Sequence, residues 1–252
     1  MRYLEIQKPS SDLPLYPDIE RHGSLARLLD FLFVELGSPL HCQESPLFGR
    51  CGARVESGNS FSQLSLAAKE RLFHFDFWQD GVCLASFFIP SLEEVARVLH
   101  QLLALNRNPL ELETELSWFR LDDKARAFFD GAKAYTDKQW QQLDECLRDD
   151  PHMKQLHPVL LAARAHPQLG ILYPFTSLYS VQFSRCTGYP FDCPCPGIWV
   201  SRFDEPGVYS VNAWGIDMKI EFQGSLEDAI NFIAAQLPPD CGPARRGTGE
   251  DA

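Results

Sequence analysis

The sequence predicts an α+β protein: two similar antiparallel-hairpin-plus-helix units joined by a helical middle segment. Three observations predict it. First, Phe73, Phe75 and Phe77 alternate with His74, Asp76 and Trp78, and an Asp80-Gly81 turn signal follows. Second, Ile216, Met218, Ile220 and Phe222 alternate with Asp217, Lys219 and Glu221. Third, each stretch leads into a helix with the same opening, Ser91-Leu92-Glu93-Glu94 in one case and Ser225-Leu226-Glu227-Asp228 in the other. A serine three residues ahead of a carboxylate can cap a helix reciprocally.

The elements follow in chain order. Pro9, Pro14 and Pro17 make the opening segment extended or irregular. A first helix starts at Ser24; Leu25, Leu28, Leu29, Leu32 and Leu36 form its apolar face, and Gly37 can end it. Pro39 to Asn59 reads as loop, because Pro46, Gly49, Gly52 and Gly58 punctuate it. Phe61 to Ala67 is a strand, Leu72 to Trp78 the next, and Val82 to Ile89 the return strand, closed by Pro90. The helix opened by Ser91 runs to about Leu105.

Pro109 to His166 reads as helical. Pro109 suits a first turn, Leu112, Leu116 and Phe119 keep helical spacing, and Thr136-Asp137-Lys138-Gln139 is a second capping box. Met153 to Ala165 is a further helix that ends ahead of Pro167. Strands return at Leu178 to Ser184, Ile198 to Phe203, Val208 to Trp214 and Ile216 to Phe222, with a Pro/Gly/Cys-rich loop from Thr187 to Gly197. The tail after Pro238 is Pro/Gly-rich and reads as frayed.

The helices opened by Ser91 and Ser225 lie 134 residues apart, and their apolar positions keep that offset from Leu92/Leu226 to Leu103/Leu237. A duplicated unit accounts for this; so does the spacing that all amphipathic helices share. The expected organisation is an N-terminal α+β lobe (1–107), a helical connector (108–166), a C-terminal α+β lobe (167–240) and a flexible tail (241–252).

Composition excludes some functions. The 252 residues are 45% hydrophobic and 23% charged, which supports a packed core. A formal net charge of -11 would repel a phosphate backbone, and the densest basic pair, Arg245-Arg246, makes no stripe, so no nucleic-acid partner is expected. Neither a signal peptide nor a membrane span is expected, which predicts a cytoplasmic protein. The eight cysteines then read as free thiols.

Candidate chemistry is sparse. Cys186, Cys193 and Cys195, with His157 or His166, are the best metal candidates, but their spacing matches no standard zinc knuckle. No metal or other cofactor is therefore expected. His74 and Asp76 share a strand face beside Trp78, as a base and its orienter would, yet no nucleophile elbow accompanies them. No dinucleotide, P-loop or zinc-protease signature occurs. The most unusual stretch is Tyr173-Pro174-Phe175-Thr176-Ser177 leading to Arg185 and Tyr189. Its aromatics, hydroxyls and arginine are groups that a binding face uses. The candidate binding residues are thus Phe175, Thr176, Ser177, Arg185 and Tyr189, with His74, Asp76 and Trp78.

At that stretch the chain resembles a family of uncharacterised bacterial proteins, abundant in actinobacteria, whose members are often labelled "natural product biosynthesis protein". The resemblance rests on Arg71 to Gly81 with the Leu92 to Val98 helix, on His166-Pro167 through to Tyr189-Pro190, and on Leu237 to Ala244. It implies no catalytic residues. The expectation is a non-enzymatic, cytoplasmic protein-binding protein, an accessory factor or toxin-immunity type, with one basic protein partner. The alternative is a small-molecule-binding or catalytic protein of a natural product biosynthesis pathway, with Arg185, Tyr189, His74 and Asp76 lining its site.

Overall fold

The computed structural model describes residues 6, 13–151, 153–200, 207–212 and 220–251. The chain is α+β and divides into two compact units, Met1–Ala125 and Arg126–Ala252. The division falls inside the stretch that the sequence reads as a helical connector.

The first unit opens with α1 (Pro17–His22) and α2 (Leu25–Glu35), the latter capped by the Ser24 hydroxyl, which accepts the Arg27 amide. A five-stranded antiparallel meander follows: β1 (Cys42–Ser45), β2 (Gly49–Ser57), β3 (Ser60–Leu66), β4 (Phe73–Gln79) and β5 (Val82–Ile89). Asp80 and Gly81, both at positive φ, make the β4–β5 turn. β1 and β2 occupy the stretch read as loop. Period-two burial at Cys51, Ala53 and Val55 is present there, but small residues and glycines disguise it. Gly52 is a close-approach position and not a breaker: a Cβ would lie 2.7 Å from the Phe48 Cβ and 2.8 Å from the Ser45 Cβ.

Leu64, Phe73, Phe75 and Phe77 are buried on one face of this sheet, the face that α2 and α3 (Leu92–Leu99) pack against. Ser91 caps α3 by accepting the Glu94 amide at 3.2 Å; its hydroxyl bonds the Glu93 carboxylate and not that of Glu94. A π-helical turn, His100–Ala104, continues α3, and α4 (Pro109–Glu115) follows, capped by Asn108. The α5 helix (Asp123–Phe129) crosses the division between the units.

In the second unit, α6 (Ala132–Asp149) starts after Gly131, whose φ is 111°. Thr136 is therefore an interior residue of α6, and its expected capping role does not hold: glycine turns the chain into the helix a full turn earlier. Next come α7 (His157–Ala165) and a second five-stranded antiparallel meander, β6 (Tyr173–Ser177), β7 (Ser180–Ser184), β8 (Gly197–Trp199), β9 (Tyr209–Asn212) and β10 (Ile220–Gly224). α8 (Leu226–Ala235) closes the unit, capped by Ser225. The expected strand at Leu178 to Ser184 begins two residues later, because Leu178, at φ 54°, turns the β6–β7 hairpin. The alternation expected at Ile216 to Lys219, the Trp214 position, the end of the strand expected at Ile198 to Phe203 and the opening segment at 1–5 and 7–12, with Pro9, lie outside the described residues.

Trp140 and Leu147 of α6, Val159, Leu160 and Ala163 of α7, and Ala229, Ile230 and Ile233 of α8 form one core with Val181, Phe183, Ile198 and Val211. The tail is bonded along its length. The Ala244 amide donates to Ile171, Arg245 to Arg185, and Gly249 to Pro190, while Thr187 and Gly188 donate to Arg245 and Gly247. No helix among the described residues is long and apolar enough to cross a membrane.

Candidate functional site

The site is built from β6 and the loop that follows β7. Among the described strands β6 lies at the edge of its sheet and pairs with β7. Its register fixes which way each backbone group points. Ser177 pairs with Ser180 across the two-residue turn, and Phe175 with Gln182. Pro174 has no N–H, so its position must be one whose backbone faces away from the ladder. Its carbonyl accepts from the Gln139 Nε2 at 3.0 Å, and the Leu172 carbonyl accepts from the Trp140 Nε1 at 3.1 Å. By the same alternation the Thr176 N–H and C=O face outward, and no described residue bonds them.

The loop from Arg185 to Pro196 is held as a knot. The Cys186 side chain is fully buried, and its sulfur accepts the Asp192 amide at 3.3 Å. The Ser184 hydroxyl accepts the Cys186 and Asp192 amides at 3.0 and 3.2 Å. Arg185 grips the Asp192 carboxylate through Nε and Nη2, at 2.8 and 3.2 Å. The Asp192 hydrogen bond and charge raise the Arg185 pKa above its ordinary value. These ties project Tyr189-Pro190-Phe191, with a cis peptide before Pro190, alongside β6.

The result is a cavity of about 600 Å³ lined by Phe175, Thr176 and Ser177 from β6 and by Tyr189, Pro190, Phe191 and Cys193 from the loop. Phe191 stacks on Phe175 with centroids 4.2 Å apart and meets Tyr189 at 90°. Tyr189 is 69% exposed, and Leu178 at the neighbouring hairpin tip is 70% exposed. A leucine at positive φ carries a backbone strain of about 1 kcal/mol that glycine would not. Of the lining groups only Cys193 is a strong nucleophile, and burial, with the nearby Cys186 and Asp192, pushes its thiol up to about 11. It is therefore protonated near neutral pH, and among the described residues no histidine or carboxylate lines the cavity to activate it or the Thr176 and Ser177 hydroxyls.

Arg185 faces a different cavity, of about 450 Å³, with Asp192, Asp240, Arg245 and Asp251. Thus Phe175, Thr176, Ser177 and Tyr189 converge, while Arg185 serves the loop's ion pair beside them.

His74, Asp76 and Trp78 belong to the first unit, on the face of β4 opposite its phenylalanines. The His74 Nε2 lies 2.9 Å from the Ser86 hydroxyl and 3.2 Å from the Asp76 carboxylate, and its Nδ1 lies 3.4 Å from the Ser65 hydroxyl. A base and its orienter need opposite ring nitrogens, one for the substrate and one for the carboxylate. Here Asp76 and Ser86 share one nitrogen, so the group reads as a cross-strand polar cluster. Trp78 stacks on Phe61 at 5.4 Å, and the Arg54 guanidinium lies 3.9 Å from the Phe61 centroid on the same sheet face.

Sequence reasoning missed Gln182, Gly197 and Asn212, which lie side by side across β7, β8 and β9. Gln182 is 1% exposed and Asn212 9%, and among the described residues the Oε1 of one and the Oδ1 of the other have no partner. Their signal was the alternation Ser180, Gln182, Ser184, which reads as a solvated face. All eight cysteines are free thiols, and no cluster of His, Cys, Asp or Glu among the described residues is arranged to hold a metal ion.

No curated protein and no solved structure matches the chain. Residues 134–248, which contain the β6 cavity, the Arg185–Asp192 loop and the tail that ties it, match a family of unknown function (DUF6193).

Proposed function

We propose that this chain is a non-enzymatic, cytoplasmic protein-binding protein, of the accessory-factor or toxin-immunity kind, that holds an extended segment of a basic partner against the edge of β6. The observation that carries this reading is the outward backbone pair of Thr176. It stands in a cavity that offers aromatic surface and hydrogen bonds but no activated nucleophile. The α6 side chains Gln139 and Trp140 take up the outward carbonyls of Pro174 and Leu172, so the part of the edge left as a template is the Thr176 pair; an unpaired strand segment can template another strand, and side pockets then supply specificity. Leu178 and Tyr189, both largely exposed, flank that edge as apolar and aromatic contact groups. The net charge of -11 favours a basic partner.

The test is affinity capture from the native host at low salt, run with the full chain and with Thr176→Pro. Proline removes the outward N–H and no ladder bond, and β6 already tolerates Pro174. One basic protein at near-equal stoichiometry is expected on the wild type, weakened by salt and at least about tenfold weaker on the variant. Equal capture by both chains overturns the reading.

A second reading, a small-molecule-binding or catalytic protein of a natural product biosynthesis pathway, draws on the cavity's volume. About 600 Å³ lies within the range of small-molecule pockets. A small molecule retained by the purified chain, with no protein partner, would favour it.

A further inference from the structure

A cavity of about 210 Å³ opens where α3 faces the segment that runs from α4 to Trp118. All of its residues belong to the first unit, so it stands or falls independently of the β6 cavity. A π-helical turn, His100–Ala104, and Asn106, at φ 49°, reverse the chain between the two sides. π-helical turns within helices are frequent at functional sites.

Two charges in the lining are unused by the fold. Glu94 and Arg97 stand three residues apart on α3, which makes them neighbours on one helix face. Neither side chain has a hydrogen-bond or ion-pair partner among the described residues; the Glu94 amide, and not its carboxylate, takes part in the Ser91 cap. The other charges are spent on each other. Arg107 donates to both Glu115 oxygens, at 3.0 and 2.6 Å, and to the Gln101 Oε1 at 3.4 Å. The rest of the lining is apolar: Val98, Leu112, Leu116 and Trp118. The Trp118 ring is set in place by edge-on contacts with Phe75, Phe87 and Phe119.

An unpaired anion and an unpaired cation beside an apolar surface complement a ligand that carries both charges and one apolar group. A lone anion would be repelled by Glu94, and a lone cation by Arg97. A residue inside a polypeptide carries neither main-chain charge, and a chain end carries only one. A free α-amino acid carries both. The planar Arg97 guanidinium matches its carboxylate, and the Glu94 carboxylate matches its ammonium. The volume lies below the roughly 300–1,000 Å³ of drug-sized pockets, which suits a ligand this small. We propose that this cavity binds a free α-amino acid with an apolar side chain, its carboxylate held by Arg97, its ammonium by Glu94 and its side chain by Val98, Leu112, Leu116 and Trp118.

The test is NMR titration of the purified full chain with L-leucine, read at the Trp118 indole N–H, which Trp118→Phe identifies. Three analogues each lack one group: 4-methylpentanoate the ammonium, 3-methylbutylamine the carboxylate, and glycine the side chain. Leucine is expected to bind at least about tenfold more tightly than any of the three. Arg97→Gln and Glu94→Gln should each weaken leucine by about tenfold with the Tm little changed, because neither group has a partner in the fold. No saturable shift with leucine overturns the proposal. Equal binding of 4-methylpentanoate would make the cavity a carboxylate site, and equal binding of 3-methylbutylamine a cation site; either overturns it. Equal binding of glycine overturns it as well, since the apolar surface would then have no role. Leucine binding kept in both Arg97→Gln and Glu94→Gln would put the amino acid elsewhere on the chain, with the same consequence.

Discussion

In the first sheet, the face opposite the phenylalanines carries Arg54, Phe61, His74, Asp76 and Trp78, half-buried and largely engaged with one another through stacking, a cation–π contact and the His74 hydrogen bonds. In the second, the face opposite Val181 and Phe183 carries Ser180, Gln182, Ser184, Ser210 and Asn212. All are buried, and two amide carbonyls there lack partners among the described residues. The backbones are both five-stranded antiparallel meanders, so the strand pattern does not explain the contrast. A polar residue on a half-exposed face is cheap because water or a neighbour satisfies it; a buried, unpaired carbonyl is a standing cost. Trp78 Nε1 in the first sheet bears such a cost as well, so the contrast lies in how completely the second sheet's polar face is buried; what supports partner recognition in the second unit is the outward Thr176 pair and the cavity beside it.

The largest effects should be alike in the two units, because the apolar faces are equivalent. Phe75 and Phe183 are both completely buried, so Phe75→Ala and Phe183→Ala should each cost about 3–5 kcal/mol. Hydrogen exchange of β4 and β7 amides measures each loss in its own unit. A cost below about 1 kcal/mol at Phe183 would show a loosely packed second core and break the equivalence.

Glycine substitutions sharpen the contrast. Gly52→Ala in the first sheet would bring a Cβ against two other Cβ atoms and within 3.2 Å of the Leu64 carbonyl oxygen, none of which can rotate away. For Gly197→Ala in the second, the three atoms nearest the added Cβ all belong to the Gln182 amide, the far end of a side chain. Gly197→Ala should cost about 1–3 kcal/mol, and Gln182→Ala in the same chain should return most of it. No single side-chain truncation should rescue Gly52→Ala as fully. If Gln182→Ala fails to rescue Gly197→Ala, the amide does not lie over Gly197 as described.

This difference between fixed and movable neighbours explains what the sequence made legible. The α+β class, the Asp80-Gly81 hairpin and the caps at Ser24, Ser91 and Ser225 are local patterns, each written in a few consecutive residues. β1 and β2 were obscured because Gly52 looks like a breaker until Phe48 and Ser45 are seen beside it. Phe175, Thr176, Ser177 and Tyr189 stood out as aromatics and hydroxyls in one stretch, and they do line one cavity. Gln182 and Asn212 did not, because burial of a sheet's second face depends on what folds over it, and alternation alone cannot report that. The tail's bonds to the loop were equally hidden: Arg245 and Arg185 are 60 residues apart and carry no shared period.

The smallest expected effect concerns how each unit ties down its own end. The second unit binds its tail through backbone hydrogen bonds, as between Arg245 and Arg185. The first ties α1 to the β3–β4 connection with a charge pair: Arg71 donates to both Asp18 oxygens, at 2.9 and 2.7 Å, beside the Tyr16 hydroxyl, which donates to the Ala67 carbonyl at 2.8 Å. Burial pushes the Asp18 carboxyl up, but the Arg71 hydrogen bond and charge, with local backbone amides, outweigh it and leave the pKa below its ordinary value. A folded-state pKa lower than the unfolded one means that the unfolded chain binds more protons in that window. The pair's contribution is therefore fully present above about pH 4 and is lost as pH falls through the lowered folded value. Both side chains are more than a third exposed, so the contribution should be under about 1 kcal/mol. Asp18→Asn should lower the denaturation midpoint slightly at pH 6 and flatten its fall toward pH 3. An acid limb as steep in Asp18→Asn as in the wild type would mean that the α1 tie rests on Tyr16 alone, and that both units hold their ends by uncharged hydrogen bonds.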